Sequence, residues 1–362
     1  MKICILSRPL HEAVGGAEKQ VYLISKFLIE HGHKIFNLYF SKEFHLRVND
    51  RNDFIYIGLP FLCHGSGVSD LLGFVNMLTF SYALMRIVDA DLYFLRGASY
   101  ITSVASYCCI IKKKPFVFNF ASLWDITSPQ TILSPLENAL YWKGLERASA
   151  VIAPTREIKN FAEEKLKRTV IHIPSAIEFK TNTTCKDEPP FALWIGRLVW
   201  YKNPLDFIKL AKNLPEFKFL IAGYGPLSGI VKDFSKKLPN LEYLGFVDPK
   251  QAEEIIGRSS VVVNTSFIEG FPNTLLEAAN QGTPYVALYY DPDRVISKYK
   301  IGFYASGKFE KLEYAVKTIL DDPKLRDKLG ENARNYIKKN HDIHIIGKQY
   351  LELFSNLINK NK

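Results

Sequence analysis

Short apolar runs rich in β-branched and aromatic residues alternate with longer amphipathic stretches along this chain, and the alternation occurs twice. In the first half Lys2–Ser7, Lys34–Phe40, Leu92–Leu95, Pro115–Phe120 and Ala150–Ala153 read as strands, with helix-like segments between them. After Pro190 the pattern resumes with Ala192–Ile195, Lys218–Ala222, Leu241–Leu244, Val261–Asn264 and Tyr285–Leu288. Nearly continuous apolar strands separated by amphipathic helices indicate parallel sheets covered on both faces, where no strand position points to water. Two βα-repeating domains follow, and 362 residues suffice for both.

The boundary is expected in Glu178–Pro190, where charge, Thr, Asn and a Pro-Pro pair replace apolar periodicity. This divides the chain into 1–180, 181–342 and a terminal helix within 343–362 that begins at Ile343. The opening apolar run Ile3–Leu6 is far short of a secretory signal and reads as a buried first strand. The longest uncharged stretches, Leu71–Met85 and Gly97–Ile111, fall below the roughly 18 to 20 residues needed to span a bilayer, so no transmembrane helix is expected. Five cysteines (Cys4, Cys63, Cys108, Cys109 and Cys185) lack any CxxC or metal-ligand spacing, which fits a reducing cytoplasm.

Net charge is +10. Residues 1–180 carry 21 Lys and Arg against 16 Asp and Glu, and the remainder 26 against 21, so each half has an excess of five. An even spread without zinc-finger, RRM or KH signatures argues against a nucleic-acid partner and is compatible with phosphate-bearing ligands. It is also compatible with an anionic membrane surface: Leu71–Met85 and Lys112-Lys113-Lys114 suit docking on a cytoplasmic leaflet, the alternative being core helices.

Three stretches carry chemistry. Gly15-Gly16-Ala17-Glu18 opens an apolar-periodic helix directly after the first strand and its loop, where free N–H groups and a partial positive charge suit a phosphate or sugar. The alternative is a loop that needs positive φ. The absent GxGxxG pattern disfavours a nicotinamide enzyme. Gly196-Arg197-Leu198 with Lys202 places two cations after a strand, a fork and a mobile point charge for a diphosphate. Glu269-Gly270-Phe271-Pro272-Asn273-Thr274-Leu275-Leu276-Glu277 leads into a helix closed by Gly282, with Pro272 in its first turn. Eight helical residues span about 12 Å, beyond the roughly 5 to 9.5 Å between glycosidase carboxyls. Glu269 and Glu277 are therefore read as gripping different parts of one ligand, the alternative being two charges on a solvated face.

Together with Gly223-Tyr224-Gly225-Pro226, these motifs in this order resemble the retaining nucleotide-sugar glycosyltransferases of family 4, along essentially the whole chain. The resemblance implies the GT-B architecture, an α/β fold of two Rossmann-like parallel-sheet domains facing a cleft. It implies hexosyl transfer from a UDP- or GDP-sugar to a hydroxyl of a glycan or lipid-linked acceptor, with no metal cofactor. Arg197 and Lys202 then contact the donor diphosphate, Glu269 with Gly270 to Leu275 the sugar, and Glu277 the ribose; Gly15, Gly16, Gly196, Gly223, Gly245 and Phe246 complete the donor site, Phe246 against the nucleobase. Arg197, Lys202 and Glu269 are the expected catalytic residues.

Two departures stand out. Where many members carry a histidine or an Arg-Asp pair, this chain has Ala121-Ser122, leaving Arg96, Trp124 and Asp125 as acceptor-side candidates, with structural ion pairing the alternative reading. The usual Asn-Gly after the interdomain Ile-Pro is replaced by Ser175-Ala176. Asp89-Ala90-Asp91 and Asp291-Pro292-Asp293 imitate a DxD metal motif but lie away from the expected diphosphate cations. Rival readings are a GT-B sugar-nucleotide epimerase or phosphorylase, and a donor-binding subunit whose catalysis has decayed.

Overall fold

A computed structural model describes residues 1–10, 15–60, 71–99, 101–129 and 133–360, with the side chains of 71–74 left aside. The chain forms two compact units, Met1–Ala176 with Ile343–Lys362, and Ile177–Asp342.

In the first unit the order is β1 (Lys2–Leu6), α1 (Gly16–Glu30), β2 (Lys34–Ser41), β3 (His45–Val48), β4 (Phe54–Pro60), α2 (Leu71–Tyr82), β5 (Leu92–Arg96), α3 (Ile101–Ile111), β6 (Phe116–Asn119), α4 (Trp124–Thr127), α5 (Pro135–Arg147), β7 (Ala150–Ala153), α6 (Arg156–Leu166) and β8 (Ile171–His172). The sheet order is β3-β4-β2-β1-β5-β6-β7-β8. All pairs are parallel except β3 with β4, so the all-parallel reading is corrected by one antiparallel edge strand.

The core explains the uninterrupted apolar runs. Cys4 and Leu6 of β1 pack with residues of α2, α3, α5 and α6, whereas Ile3 and Ile5 pack with α1 and the C-terminal helix. Successive side chains point to opposite faces, and each face is covered.

The second unit runs β9 (Phe191–Ile195), α7 (Pro204–Asn213), β10 (Lys218–Ala222), α8 (Ser228–Lys237), β11 (Leu241–Gly245), α9 (Pro249–Arg258), β12 (Val261–Asn264), α10 (Asn273–Asn280), β13 (Tyr285–Ala287), α11 (Val295–Tyr299), β14 (Gly302–Tyr304), α12 (Phe309–Asp321) and α13 (Pro323–Asn340). The closing helix, α14 (Ile343–Lys360), belongs to the first unit, where it lies against α1. The second sheet is parallel throughout, in the order β11-β10-β9-β12-β13-β14. From β9 the chain winds outward through β10 to β11 and then returns to lay β12 on the other side of β9. This reversal is the topological switch point, where open α/β sheets leave a crevice beyond their carboxyl ends.

Candidate functional site

Both strands at the second sheet's switch point deliver charge to their carboxyl ends. β9 leads through Gly196 and Arg197 into a single 3-10 turn, Trp200–Lys202, and β12 leads into the segment holding Glu269. There Lys202 Nζ and Glu269 Oε1 meet at 2.5 Å, with side chains only 21% and 11% exposed. The Asn264 amide approaches the same carboxylate oxygen at 3.4 Å. Arg197 donates through Nη2 to the Tyr201 hydroxyl, and both cations stand 5.9 Å from the Tyr201 ring centroid. The structure thus brings Arg197, Lys202 and Glu269 into one neighbourhood around an aromatic ring that sequence reasoning missed. An aromatic residue flanked by two cations, at i−4 and i+1, was the available signal.

The loops at these strand ends brace one another through their backbones. Leu198 N–H donates to Tyr224 O at 3.1 Å, and Gly223 N–H to Gly245 O at 2.7 Å. Thr265 accepts from the Trp194 indole N–H at 2.9 Å and donates to the Asn203 carbonyl at 2.6 Å, tying β12 to the turn that presents Lys202. Gly223 has φ +141°, and a Cβ there would stand 1.8 Å from the Gly196 carbonyl oxygen. Gly223→Ala is therefore expected to destabilise the protein by about 1–3 kcal/mol through backbone strain, read as a lower midpoint in denaturant melts.

α10 starts one residue later than the sequence suggests. Pro272 is its N-cap, with ψ 122°, so the first turn begins at Asn273. Gly282, at φ +64°, closes the helix in the left-handed conformation read from the sequence. Phe271 and Leu275 are buried, and the Phe271 ring packs tilted against His341 with centroids 4.6 Å apart, so these two residues offer a ligand their backbone and not their side chains. The Thr274 and Tyr285 hydroxyls hydrogen bond at 2.9 Å. Burial pushes the Tyr285 phenol far above its ordinary range and keeps it neutral. Glu277 is half-buried on the second turn, and Phe246, after Gly245, is largely exposed. Gly270 is buried at the turn between Glu269 and the helix.

The first unit places its candidates differently. Gly15 is the N-cap of α1 with φ −85°, and neither Gly15 nor Gly16 is among the positive-φ glycines, so the positive-φ reading is set aside. The Glu18 carboxylate folds back to the space beside Gly15 and lies 3.9 Å from Arg8.

Asp125 is only 5% exposed. Its carboxylate accepts the N–H groups of Ala98, Ala121 and Ser122 at 3.2, 2.6 and 3.1 Å, which organises the loop after β6. Burial raises its pKa against those three bonds and the nearby Arg96. Arg96 is desolvated, which lowers its pKa, with Tyr350, Asp125 and Glu18 opposing that shift. Tyr350 on α14 bonds to Arg96 and accepts from the Asn119 amide at 2.6 Å. Trp124 opens the short helix α4 beside them. Arg96 and Asp125 thus carry opposite charges near one another, and the Asp125 oxygens are engaged by backbone N–H groups.

The acidic triplets have local roles. Asp291 accepts the Ile296 N–H at 2.8 Å and the Ser297 N–H at 3.2 Å, while Asp91 accepts the Lys2 N–H at 2.8 Å.

Comparison with known proteins completes the picture. Residues 14–178 match the family model Glycosyltransferase Family 4, and residues 176–336 match Glycosyl transferases group 1. An uncharacterized glycosyltransferase of Methanocaldococcus jannaschii is 25% identical over 235 residues, 59% of this chain; the chain spans only 60% of that relative's length. A Campylobacter jejuni α-1,4-N-acetyl-D-galactosaminyltransferase, named for an undecaprenol diphosphate-linked glycan, is 28% identical over 63% of this chain and 68% of its own. Among solved structures, sucrose-phosphate synthase from Thermosynechococcus elongatus superposes with a TM-score of 0.82 at 16% identity, over 99% of this chain and 100% of its own. With two parallel-sheet Rossmann-like units, one glycosyltransferase model matching most of each, the chain belongs to the family 4 glycosyltransferases of the GT-B fold.

Proposed function

We propose that this chain is a retaining hexosyltransferase that moves a sugar from a UDP- or GDP-sugar to a hydroxyl of a glycan or lipid-linked acceptor, working at the cytoplasmic face of a membrane. The observation that carries the reading is the meeting of Lys202 and Glu269 at the switch point, beside Arg197 and ahead of the N-terminus of α10. A diphosphate fits two cations and a helix mouth, and a hexose presents hydroxyls to a carboxylate. In this reading Arg197 and Lys202 hold the diphosphate, Glu269 and the backbone from Gly270 to Leu275 hold the sugar, and Glu277 holds the ribose. Gly15 and Gly16 supply further N–H groups, and the first unit carries the acceptor.

As the bond between the anomeric carbon and the diphosphate lengthens, negative charge grows on the leaving oxygen and positive charge on the sugar ring. Arg197 and Lys202 stabilise the first without a metal ion. The acceptor hydroxyl attacks from the face the diphosphate leaves, and the departing phosphate oxygen takes its proton. An acceptor carried on a polyprenol diphosphate agrees with the name of the Campylobacter relative.

A panel of sugar nucleotides screened by thermal stabilisation tests the donor assignment, because a ligand that binds only the folded state raises the melting point by mass action. One donor is expected to stand out. Glu277→Ala should weaken binding of the free nucleoside diphosphate roughly tenfold, the size of a charge-assisted hydrogen bond, measured by calorimetry. A flat panel, or unchanged nucleotide affinity in the variant, defeats the assignment.

A further inference from the structure

Surface helices ordinarily turn charge to solvent, and two neighbouring helices of the first unit do not. From Leu71 to Met85 and from Ile101 to Ile111 there is no charged residue at all. α2 continues through a π turn, Ala83–Ile87, and buries Asn76, Phe80, Ala83 and Leu84. Its outward positions are Leu78 and Tyr82, one helical row, followed by Arg86 and Ile87. α3 buries Ala105, Cys108 and Cys109 and turns Tyr107, Ile110 and Ile111 outward. The exposure is substantial, 64% for Tyr82 and 69% for Ile111. The two helices are side by side: the Cys108 thiol hydrogen bonds to the Ser81 hydroxyl, and Lys112 Nζ donates to the Leu84 and Val88 carbonyls at 2.8 and 2.7 Å.

These contacts also correct the lysine triplet read from the sequence as a lipid contact. Lys112 is turned inward, and Lys114 lies 4.0 Å from Asp91. The cations that do flank the apolar face are Arg86 and Lys113, exposed at the ends of the two helices, and Arg147, whose guanidinium lies 5.2 Å from the Tyr107 ring. Of the acidic side chains that follow α2, Asp89 is 3.6 Å from Lys2 and Asp91 4.0 Å from Lys114.

We infer that the outward face of α2 and α3 (Leu78, Tyr82, Tyr107, Ile110 and Ile111), flanked by Arg86, Lys113 and Arg147, docks on an anionic membrane surface. Aliphatic residues reach the acyl boundary, tyrosines suit the headgroup level, and the cations meet anionic headgroups. With 12 residues plus a five-residue π turn, and with 11, both helices are too short to cross a bilayer, so they lie on it. A second copy of this chain is disfavoured as the occupant because it would bring the same three cations against these three. None of these residues is among those assigned to the donor, so vesicle binding and nucleotide binding are independent readouts.

The test is flotation of the whole chain with vesicles of phosphatidylcholine alone and of phosphatidylcholine mixed with phosphatidylglycerol. The protein should float with the anionic vesicles at low salt and be released by high salt. Each of Arg86→Gln and Lys113→Gln should weaken partition roughly fivefold, the value of one cation near an anionic surface. Tyr82→Ser combined with Ile111→Ser should weaken it about tenfold through lost apolar burial. Melting temperatures should stay at the wild-type value, since all four side chains are exposed. Failure to float, equal binding to neutral vesicles with no salt effect, or variants that float like wild type would overturn the inference. So would a wild-type dimer in sedimentation equilibrium that the Tyr82→Ser, Ile111→Ser variant splits into monomers.

Discussion

Lys202→Ala is expected to lower turnover with the stabilising sugar nucleotide by about 10²–10³-fold, the loss that follows removal of one preorganised donor from developing negative charge. The Trp200–Lys202 turn and the Thr265 hydroxyl, which donates to the Lys202 and Asn203 carbonyls, fix the backbone that presents the ammonium at the switch point, so little is spent on positioning it during the reaction. Stability should fall far less. The variant leaves the Glu269 carboxylate, 11% exposed, with the Asn264 amide at 3.4 Å and without its cation. A partly buried charge that loses its partner in this way costs about 1 kcal/mol, or roughly 2–4 °C of melting temperature for a domain of this size. Adding Glu269→Gln removes the unpaired charge, so the double variant should regain the melting temperature and none of the turnover. Turnover within a few fold of wild type in the single variant would take Lys202 out of the mechanism.

The fold was legible because both sheets are buried on two faces. Ten apolar runs stood out, and each corresponds to a strand. The strands that escaped notice lie at or beside sheet edges. β3 has one half-buried and three exposed residues, β8 has two residues, and β14 is a three-residue strand whose Gly302 a Cβ would drive to 1.8 Å from the Tyr285 carbonyl oxygen. β4 is different: Phe54–Leu59 is as apolar as the strands that were recognised. Along the chain the antiparallel β3 comes between β2 and β4, where a crossover helix belongs in a βα repeat, and that interruption masked β4.

Site legibility had another limit. Charged residues at strand ends can be picked out one motif at a time, and the family resemblance is what joined Arg197, Lys202 and Glu269 into one site. What holds them there uses ordinary residues. Thr265 and Asn264 act by where the switch point places them, and nothing in their spacing announces it. The reverse holds for Asp125, whose charge invited a chemical role while its oxygens serve three backbone N–H groups.

Glu269→Gln should move binding and turnover in opposite directions. Lys202 is engaged by Glu269 at 2.5 Å, so a diphosphate arriving at Lys202 must displace that carboxylate. The neutral amide of glutamine competes weakly, and free UDP or GDP should bind roughly three- to tenfold more tightly, on the scale of a charged hydrogen bond discounted for partial exposure. Added salt should shrink that gain, because it screens the pair that wild type must break. Turnover should nevertheless drop by about 10²-fold, since in the proposed mechanism the carboxylate released from Lys202 takes the sugar hydroxyls and stabilises the positive ring. That mechanism gives Glu269 two successive partners, first the lysine and then the hexose. Calorimetry with the free nucleotide, set beside product formation, separates these roles. Weaker nucleotide binding in the variant would show that Glu269 organises Lys202 for the phosphate, and unchanged turnover would show that it never touches the sugar.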